Sequence, residues 1–426
     1  MEITMKEMEQ KKRTGGFGKD FSLVIIGQII SLFGNQILRY ALPLYLLNQT
    51  GSAFLFGLTM ALSFIPMLLM SPIGGIIADR KNKRNIMVGL DFFKAVLMVL
   101  YSMSYQQLSI VVLTIIVLML LYGIQGLYQP TVQASVPLLV AEDQLMQGNA
   151  MINMVSSLAG ILGPVLGGIA FSKLGIGAII LAAIVCFVTS AVMELLIKIP
   201  YSKREKAGSV MEIVRSDMKD SIVFVRKERA EIGKVGILLL VINAVFSALI
   251  VVGLPILIHN TLGIEEQMAN TLYGYAQGAL ALGGLMGGML SGIMGKKCKI
   301  QKGGLFLLGC TLTILPITLA LLFQVNAYVT YGITVVCCVL MMIFSTILTI
   351  MLITYVQKVT PEHLLGKVMA LLTCLVMCGH PIGQLVYGWV LEFLQGRIYI
   401  VFAVALILAI GITMVGHHIF KKLEEV

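Results

Sequence analysis

The chain has 426 residues, of which 58% are hydrophobic and only 12% are charged. A soluble protein of this length would carry a much larger share of charged surface, so the composition argues against a soluble class and indicates a membrane protein. The net charge of +10 could suggest a nucleic-acid partner. The cations are instead dispersed over many polar breaks without interleaved aromatic residues, which argues against nucleic acid.

Apolar windows long enough to cross a bilayer recur along nearly the whole chain. A helix needs about 20 apolar residues to span the hydrocarbon core. Twelve such windows, called spans 1 to 12, cover residues 21–47, 53–77, 86–104, 110–136, 150–171, 178–199, 233–258, 271–293, 304–323, 329–356, 368–393 and 399–419. The sequence therefore predicts an all-α membrane protein with twelve transmembrane helices.

The basic residues predict the orientation. With a cytoplasmic N-terminus, 27 of the 31 Lys and Arg residues fall in the cytoplasmic segments or at the helix ends beside them. Loops on the cytoplasmic side carry this excess. We therefore expect both termini to be cytoplasmic in a bacterial cell membrane, and the first span is too long for the apolar region of a cleaved signal peptide.

One long break divides the chain into two sets of six spans. We predict a cytoplasmic N-terminal segment (1–20), a first six-helix bundle (21–199), a cytoplasmic linker (200–232), a second six-helix bundle (233–419) and a cytoplasmic tail (420–426). Within the linker, apolar residues recur at helical spacing over 210–228. This pattern fits either a helix lying on the membrane surface or a solvated linker with helical tendency.

The two halves resemble each other. "ALPLYLLNQT" around Pro43 matches "GLPILIHNT" around Pro255, and the 18 positions from Gly57 to Gly75 equal those from Gly274 to Gly292. Duplicated six-helix halves are typical of transporters that expose a midplane site alternately to each side of the membrane. The repeat thus predicts two pseudo-symmetric bundles and favours a transporter over a channel or a receptor.

The break after span 2 carries the motif of a known family. Its residues are Gly75, Asp79, Arg80, Lys83 and Arg84. They resemble the G-x-x-x-D-R-x-G-R-R signature of the major facilitator superfamily, with Asn82 in place of the second glycine. The resemblance implies close helix packing at Gly75 and a cytoplasmic contact in which the Asp79 carboxylate accepts hydrogen bonds from the start of span 11. A charge cluster that only fixes topology is the alternative.

Further segments narrow the resemblance. Gly163, Pro164, Gly167 and Gly168 resemble the antiporter signature on span 5, which implies a thin helix surface that keeps the pathway sealed in exporters; tight packing alone is the alternative. "SLFGNQILRYALPLYLLNQTGSA", the pair Asp91 and Lys94, and "VPLLVAEDQL" resemble the drug-exporting branch that includes macrolide-efflux proteins.

Polar side chains inside the spans are candidates for a substrate cavity, because hydrocarbon penalises polar groups that face neither a cavity nor a partner. The candidates are Asn35, Arg39, Tyr122, Gln125, Gln129, Gln133, Asn243, Met377, His380 and Gln384. Hydrogen bonding between helices without a ligand is the alternative. The 26 methionines suit a wall that can repack around varied substrates.

Few titratable groups lie inside the spans. Asp91, Glu194 and His380 are the candidates for proton coupling. The superfamily often has an arginine on span 4, where this chain has Tyr122. Asp91 with Lys94, and Glu194 with Lys198, could instead form neutralised pairs three and four residues apart.

No nucleotide-binding loop, nucleophile constellation or complete metal-ligand cluster is present in the sequence, so neither an enzyme nor a cofactor or metal is expected; Cys374 and Cys378 lack a complementary ligand cluster. We predict a monomeric exporter of small amphipathic drugs, driven by proton antiport within the lipid bilayer. A transporter of a specific metabolite, peptide, siderophore or lysolipid is the alternative, followed by a membrane sensor or scaffold that does not transport.

Overall fold

A computed structural model describes residues 18–105, 107, 109–141, 144–200, 221–227, 229–294, 300–394 and 396–423. Every regular element in these ranges is helical. Eleven of the helices are long and apolar enough to cross a membrane. Helices satisfy their own backbone hydrogen bonds, as a waterless bilayer core requires.

The first six predicted spans lie on four single helices and one long helix with a break. These are α1 (Lys19–Thr50), α2 (Ala53–Arg80), α3 (Lys83–Ser104), α4 (Ile110–Leu139) and a helix of 51 residues, Leu145–Leu195. The long helix breaks at Gly175, whose φ of 75° lies in the left-handed region that glycine tolerates. Its arms, 145–174 and 176–195, are called α5 and α6. The twelve-span prediction is confirmed, although α6 ends at Leu195 and not at residue 199.

The second half begins with α7, which starts as an α-helix over Ala230–Ile242 and reaches Thr261 as one span. The remaining helices are α8 (Glu266–Met294), α9 (Gly303–Leu322), α10 (Ala327–Val359), α11 (Glu362–Phe393) and α12 (Ile398–Lys422).

α7 is irregular over its second half, and the first two of its irregular segments lie against α11. Three π-helical segments, Asn243–Ser247, Leu249–Gly253 and Leu257–Thr261, interrupt it. A Cβ atom added to Gly383 of α11 would lie 2.1 Å from the carbonyl oxygen of Ala244, so the two backbones are in direct contact. Single π-turns often occur at functional positions, and Asn243, a predicted cavity residue, begins the first of them.

The described residues form two compact units. Unit 1 contains Met1–Leu42 and Ser63–Val210, and unit 2 contains Pro43–Leu62 and Met211–Val426. The end of α1 and the start of α2 therefore belong to unit 2. The predicted surface helix over 210–228 lies largely outside the described residues; residues 221–227 are helical, with Phe224 buried. The domain boundaries predicted from the sequence remain predictions.

Candidate functional site

Unit 1 contains a group of buried polar and charged side chains from four helices. Ser31 of α1, Asp91 and Lys94 of α3, Tyr128 of α4 and Glu194 of α6 are each at most 1% exposed. We call these five residues the charge cluster. Charges so completely buried are retained only where they are paired or have a function.

Asp91, Lys94 and Ser31 form a closed triangle of contacts. Lys94 Nζ lies 2.5 Å from Asp91 Oδ1 and donates to Ser31 Oγ at 2.8 Å. Ser31 Oγ in turn donates to Asp91 Oδ1 at 3.0 Å. The ion pair suggested by the spacing of Asp91 and Lys94 is therefore present, and Ser31 ties it to α1.

Tyr128 connects the ammonium group to the second carboxylate. Its hydroxyl donates to Glu194 Oε1 at 2.7 Å, and its ring centroid lies 4.7 Å from Lys94 Nζ. The ring of Phe187 lies 4.6 Å from the same nitrogen. Two aromatic rings thus stabilise the buried cation through their quadrupoles.

The charge cluster contains two carboxyl groups but one ammonium group. An uncompensated charge in an apolar interior costs several kcal/mol. One added proton on either carboxyl group would make the cluster neutral. Asp91 Oδ2 and Glu194 Oε2 have no hydrogen-bond partner in the described part of the chain, so each is an atom at which that proton could be held.

The structure corrects one of the predicted pairs. The pairing of Glu194 with Lys198 is wrong, because α6 ends at Leu195 and the Lys198 side chain is exposed. The backbone N–H of Lys198 donates to Asp20 Oδ1 at 3.0 Å. His380, the third candidate for proton coupling, lies on α11 in unit 2 and is not part of the charge cluster.

Polar residues of α1 and α4 meet in a second group, which we call the polar face. Asn35 Nδ2 donates to Gln125 Oε1 at 2.8 Å, and Gln125 Nε2 donates to Gln129 Oε1 at 3.4 Å. The Arg39 guanidinium lies 3.8 Å from the centroid of the Tyr122 ring. Five of the predicted cavity residues thus come together in unit 1, and the sixth, Gln133, is exposed farther along α4.

The predicted cavity residues of unit 2 lie on α7 and α11. Asn243, in the first π-segment, donates to the carbonyl oxygen of Leu239 at 3.0 Å and accepts from Ser247 Oγ at 3.2 Å. On α11, Met377 and His380 are partly exposed, whereas Gln384 is buried and its Oε1 has no partner among the described residues.

The motif after α2 has a partly different geometry from the one expected. The close packing predicted at Gly75 is wrong: a Cβ there would meet no described atom within 4 Å, whereas one on Gly74 would lie 2.7 Å from the carbonyl oxygen of Gly126 on α4. Arg84 donates to the carbonyl oxygen of Leu195, where a cation is favoured by the α6 C-terminus. The Asp79 side chain lies outside what the structure describes.

The glycines of the antiporter-type motif on α5 face α1. A Cβ on Gly163 would lie 2.6 Å from Cβ of Gln36, and one on Gly167 would lie 3.5 Å from the Tyr40 ring. Pro164 lies within the continuous helix, and Gly168 is buried. The motif therefore permits close contact between α5 and α1 inside unit 1.

Ser31 and Tyr128 of the charge cluster, and Phe187 beside it, were not predicted. Ser31 lies four positions before Asn35 on α1, so the same helical spacing could have identified it. Tyr128 and Phe187 gave no comparable signal, because an aromatic residue in an apolar span is ordinarily core. In the described residues, no group of three His, Cys, Asp or Glu side chains could hold a metal ion.

Comparison with known proteins gives concordant matches. The model of the Major Facilitator Superfamily matches residues 24–384. Macrolide efflux protein A of Streptococcus pyogenes is 24% identical over 416 residues, covering 95% of this chain and 97% of that protein. The enterobactin exporter EntS of Salmonella typhi is 23% identical over 382 residues, covering 86% of this chain and 84% of that protein.

Solved structures show the same fold at lower identity. A bacterial homologue of the human lysosomal transporter Spinster, inward-facing and unoccupied, matches with a TM-score of 0.71 and 13% identity, covering 96% of this chain and all of that one, 100%. The nucleoside transporter NupG matches with a TM-score of 0.72 and 12% identity, covering 94% of this chain and 100% of that one.

Removal of the Lys94 ammonium should destabilise unit 1. Lys94→Met leaves two carboxyl groups without a cation and should lower the free energy of unfolding by about 3–5 kcal/mol. Asp91→Asn combined with Lys94→Met should recover part of this loss. Thermal unfolding in detergent measures both, with Lys173→Met, an exposed lysine on α5, as the control. A Lys94→Met protein as stable as the parent would contradict the charge balance described above.

Proposed function

Since the chain belongs to the Major Facilitator Superfamily, we propose that it exports small amphipathic drugs, macrolide-like antibiotics among them, in exchange for protons. Members of this family are secondary transporters and not enzymes. The similarity to macrolide efflux protein A along nearly the whole chain supports the drug class. The charge cluster, with its deficit of one positive charge, is the single observation that supports proton coupling.

Two helices connect the charge cluster to the polar face. On α1, Ser31, Asn35 and Arg39 are spaced four residues apart and so lie along one side of the helix. On α4, Tyr128 of the charge cluster is followed directly by Gln129 of the polar face. A change of charge beside Ser31 and Tyr128 would therefore act on the helices that carry the substrate-binding residues.

The proposed cycle follows from this connection. A proton held at Glu194 Oε2 or Asp91 Oδ2 makes the charge cluster neutral, and its loss leaves a net negative charge beside α1 and α4. The two charge states favour different positions of these helices, because the cost of a buried charge depends on its surroundings. Proton release toward the cytoplasm would then accompany substrate binding from that side, which is antiport.

The polar face fits an amphipathic substrate. Amide side chains supply hydrogen bonds in either direction, and Tyr122 and Phe64, whose ring centroids lie 5.7 Å apart, supply an aromatic surface. A second candidate has one observation in its favour. The cationic Arg39 on the polar face would suit an anionic metabolite, and the similarity to the enterobactin exporter EntS is consistent with a siderophore-like one.

The setting of this activity is also a proposal. Both termini lie in the cytoplasm of a bacterium, two six-helix bundles are joined by the linker at 200–232, and the chain acts as a monomer. By the superfamily resemblance, Asp79 stabilises the outward-open state. In unit 2, the coupling candidate His380 and the cavity residues on α7 and α11 also contact the substrate.

Loss of either carboxyl group should uncouple transport from protons. Glu194→Gln and Asp91→Asn each remove the imbalance of charge, so substrate addition to energised inverted vesicles should no longer release protons. The control is Glu266→Gln, an exposed carboxylate at the start of α8. Substrate-driven proton release that persists at the parental rate in both variants would remove the charge cluster from the mechanism.

The substrate class can be tested with Arg39. A pump-deficient bacterial host expressing the chain is exposed to macrolides, cationic drugs and siderophores, with and without an uncoupler. We expect resistance to macrolides that the uncoupler abolishes and that Arg39→Gln largely retains, because Gln keeps the hydrogen-bonding capacity of the polar face. Export confined to anionic compounds and lost in Arg39→Gln would instead establish the siderophore-like alternative.

A further inference from the structure

The carboxylate of Glu392, on α11, accepts two hydrogen bonds at the start of α2. Glu392 Oε2 accepts from the hydroxyl of Ser52 at 3.2 Å and from the backbone N–H of Phe54 at 3.2 Å. The first N–H groups of a helix have no partner within the helix, and the helix dipole favours a negative charge there. Glu392 thus satisfies a group that α2 cannot satisfy itself.

Ser52 already provides the ordinary cap of this helix. Its Oγ accepts from the backbone N–H of Leu55 at 3.1 Å, three residues onward, which is the usual N-cap geometry. The Ser52 hydroxyl hydrogen remains available and is donated to Glu392. The Glu392 carboxylate is therefore additional to the local cap, and it connects two segments that are 340 residues apart.

Two asparagines add further contacts in the same region of unit 2. Asn48 Nδ2 donates to Asn270 Oδ1 at 3.1 Å, and Asn260 Nδ2 donates to the carbonyl oxygen of Gly51 at 3.2 Å. Asn48 and Asn260 each follow the repeated proline of their half, Pro43 or Pro255, by five residues. Equivalent asparagines of the two halves thus each bind a segment of the other half.

The backbones of α2 and α11 touch one turn away from Glu392. A Cβ on Gly57 would lie 2.6 Å from the carbonyl oxygen of Gln384 and 2.9 Å from Cα of Gly388. Beside this crossing is a cavity of about 220 Å³, lined in part by Ala53, Asn260 and Gly396. The region therefore contains one close contact between α2 and α11, a few hydrogen bonds and a cavity. It is not a continuous apolar core.

We propose that Glu392, with Ser52, Asn48 and Asn260, forms an outer contact that holds the pathway closed on the side away from the cytoplasm and breaks when that side opens. The proposal rests on the proposed transport function and on the predicted orientation. It assigns Glu392 a conformational role, because its two bonds join the start of α2 to the end of α11.

Glu392 lies at the end of α11 and accepts from the start of α2, so its two bonds form only when these two helix ends are together. Alternating access closes one side of the pathway at a time. The outer contact can therefore stabilise only the state in which its own side is closed.

The rate at which a buried cysteine becomes accessible tests this role. Ala53 is 2% exposed and lines the cavity beside the outer contact. In a variant without the seven native cysteines, Ala53→Cys is labelled in intact cells with a membrane-impermeant maleimide. Glu392→Ala should raise the labelling rate about tenfold or more, the effect of losing a hydrogen bond to a charged group. Glu392→Gln, which still accepts hydrogen bonds, should raise it less.

The controls separate a conformational role from a structural one. Glu265→Ala removes an exposed carboxylate just before α8 and should leave the rate unchanged. Equal labelling rates in the Glu392 variants and their parent would overturn the proposal, even if their melting temperatures fell. The readout needs neither substrate nor a proton gradient, so it can fail while the proposed transport function stands.

Discussion

A bilayer core contains no water to hydrate a charge, and this constraint shapes unit 1 more than any other. Two carboxyl groups and one ammonium group lie there with almost no exposure. Four helices must come together to satisfy them: α1 through Ser31, α3 through the ion pair, α4 through Tyr128 and α6 through Glu194. The arrangement of these helices is therefore fixed by charge compensation as well as by apolar packing.

The absence of water also makes the charge cluster sensitive to protonation. A buried cluster one charge away from neutrality is sensitive to a single proton, because no solvent screens the change. The helices that hold the charge cluster also carry the polar face, with Asn35 and Arg39 on α1 and Gln125 on α4. Proton coupling as proposed therefore needs no separate relay, since Ser31 and Tyr128 donate to the two carboxyl groups and lie on the helices that carry the polar face.

The sequence was sufficient for the parts of the fold that depend on one segment at a time. Window length predicted the twelve spans, and the motif after α2 predicted the family. The pair Asp91 and Lys94 followed from spacing within one helix. The partner of Glu194 could not be predicted in this way, because Tyr128 lies on another helix. The expected partner, Lys198, lies beyond the end of α6 at Leu195. Spacing reveals which residues share a helix face, but it does not reveal the helix lying opposite.

Close backbone contacts were hard to predict for the same reason. A glycine in a span can mark either a close helix contact or an open space, and the sequence does not distinguish the two. Gly75 was expected to pack closely, but its neighbour Gly74 is the residue that does. The role inferred for Glu392 depends on a partner 340 residues away, and the repeat alone pointed to no acid at that position. In both examples the residue type is uninformative, and only the neighbouring helix in the structure shows which contact is made.

Proton coupling as proposed requires one proton on either Asp91 or Glu194 in the resting protein. Infrared difference spectroscopy of the purified protein with isotope-labelled glutamate and aspartate can detect a protonated carboxyl group by its carbonyl stretch. We predict such a band in the resting protein, its loss on substrate binding, and its absence from Asp91→Asn combined with Glu194→Gln. A parent protein with both carboxyl groups ionised before and after substrate binding would contradict the account.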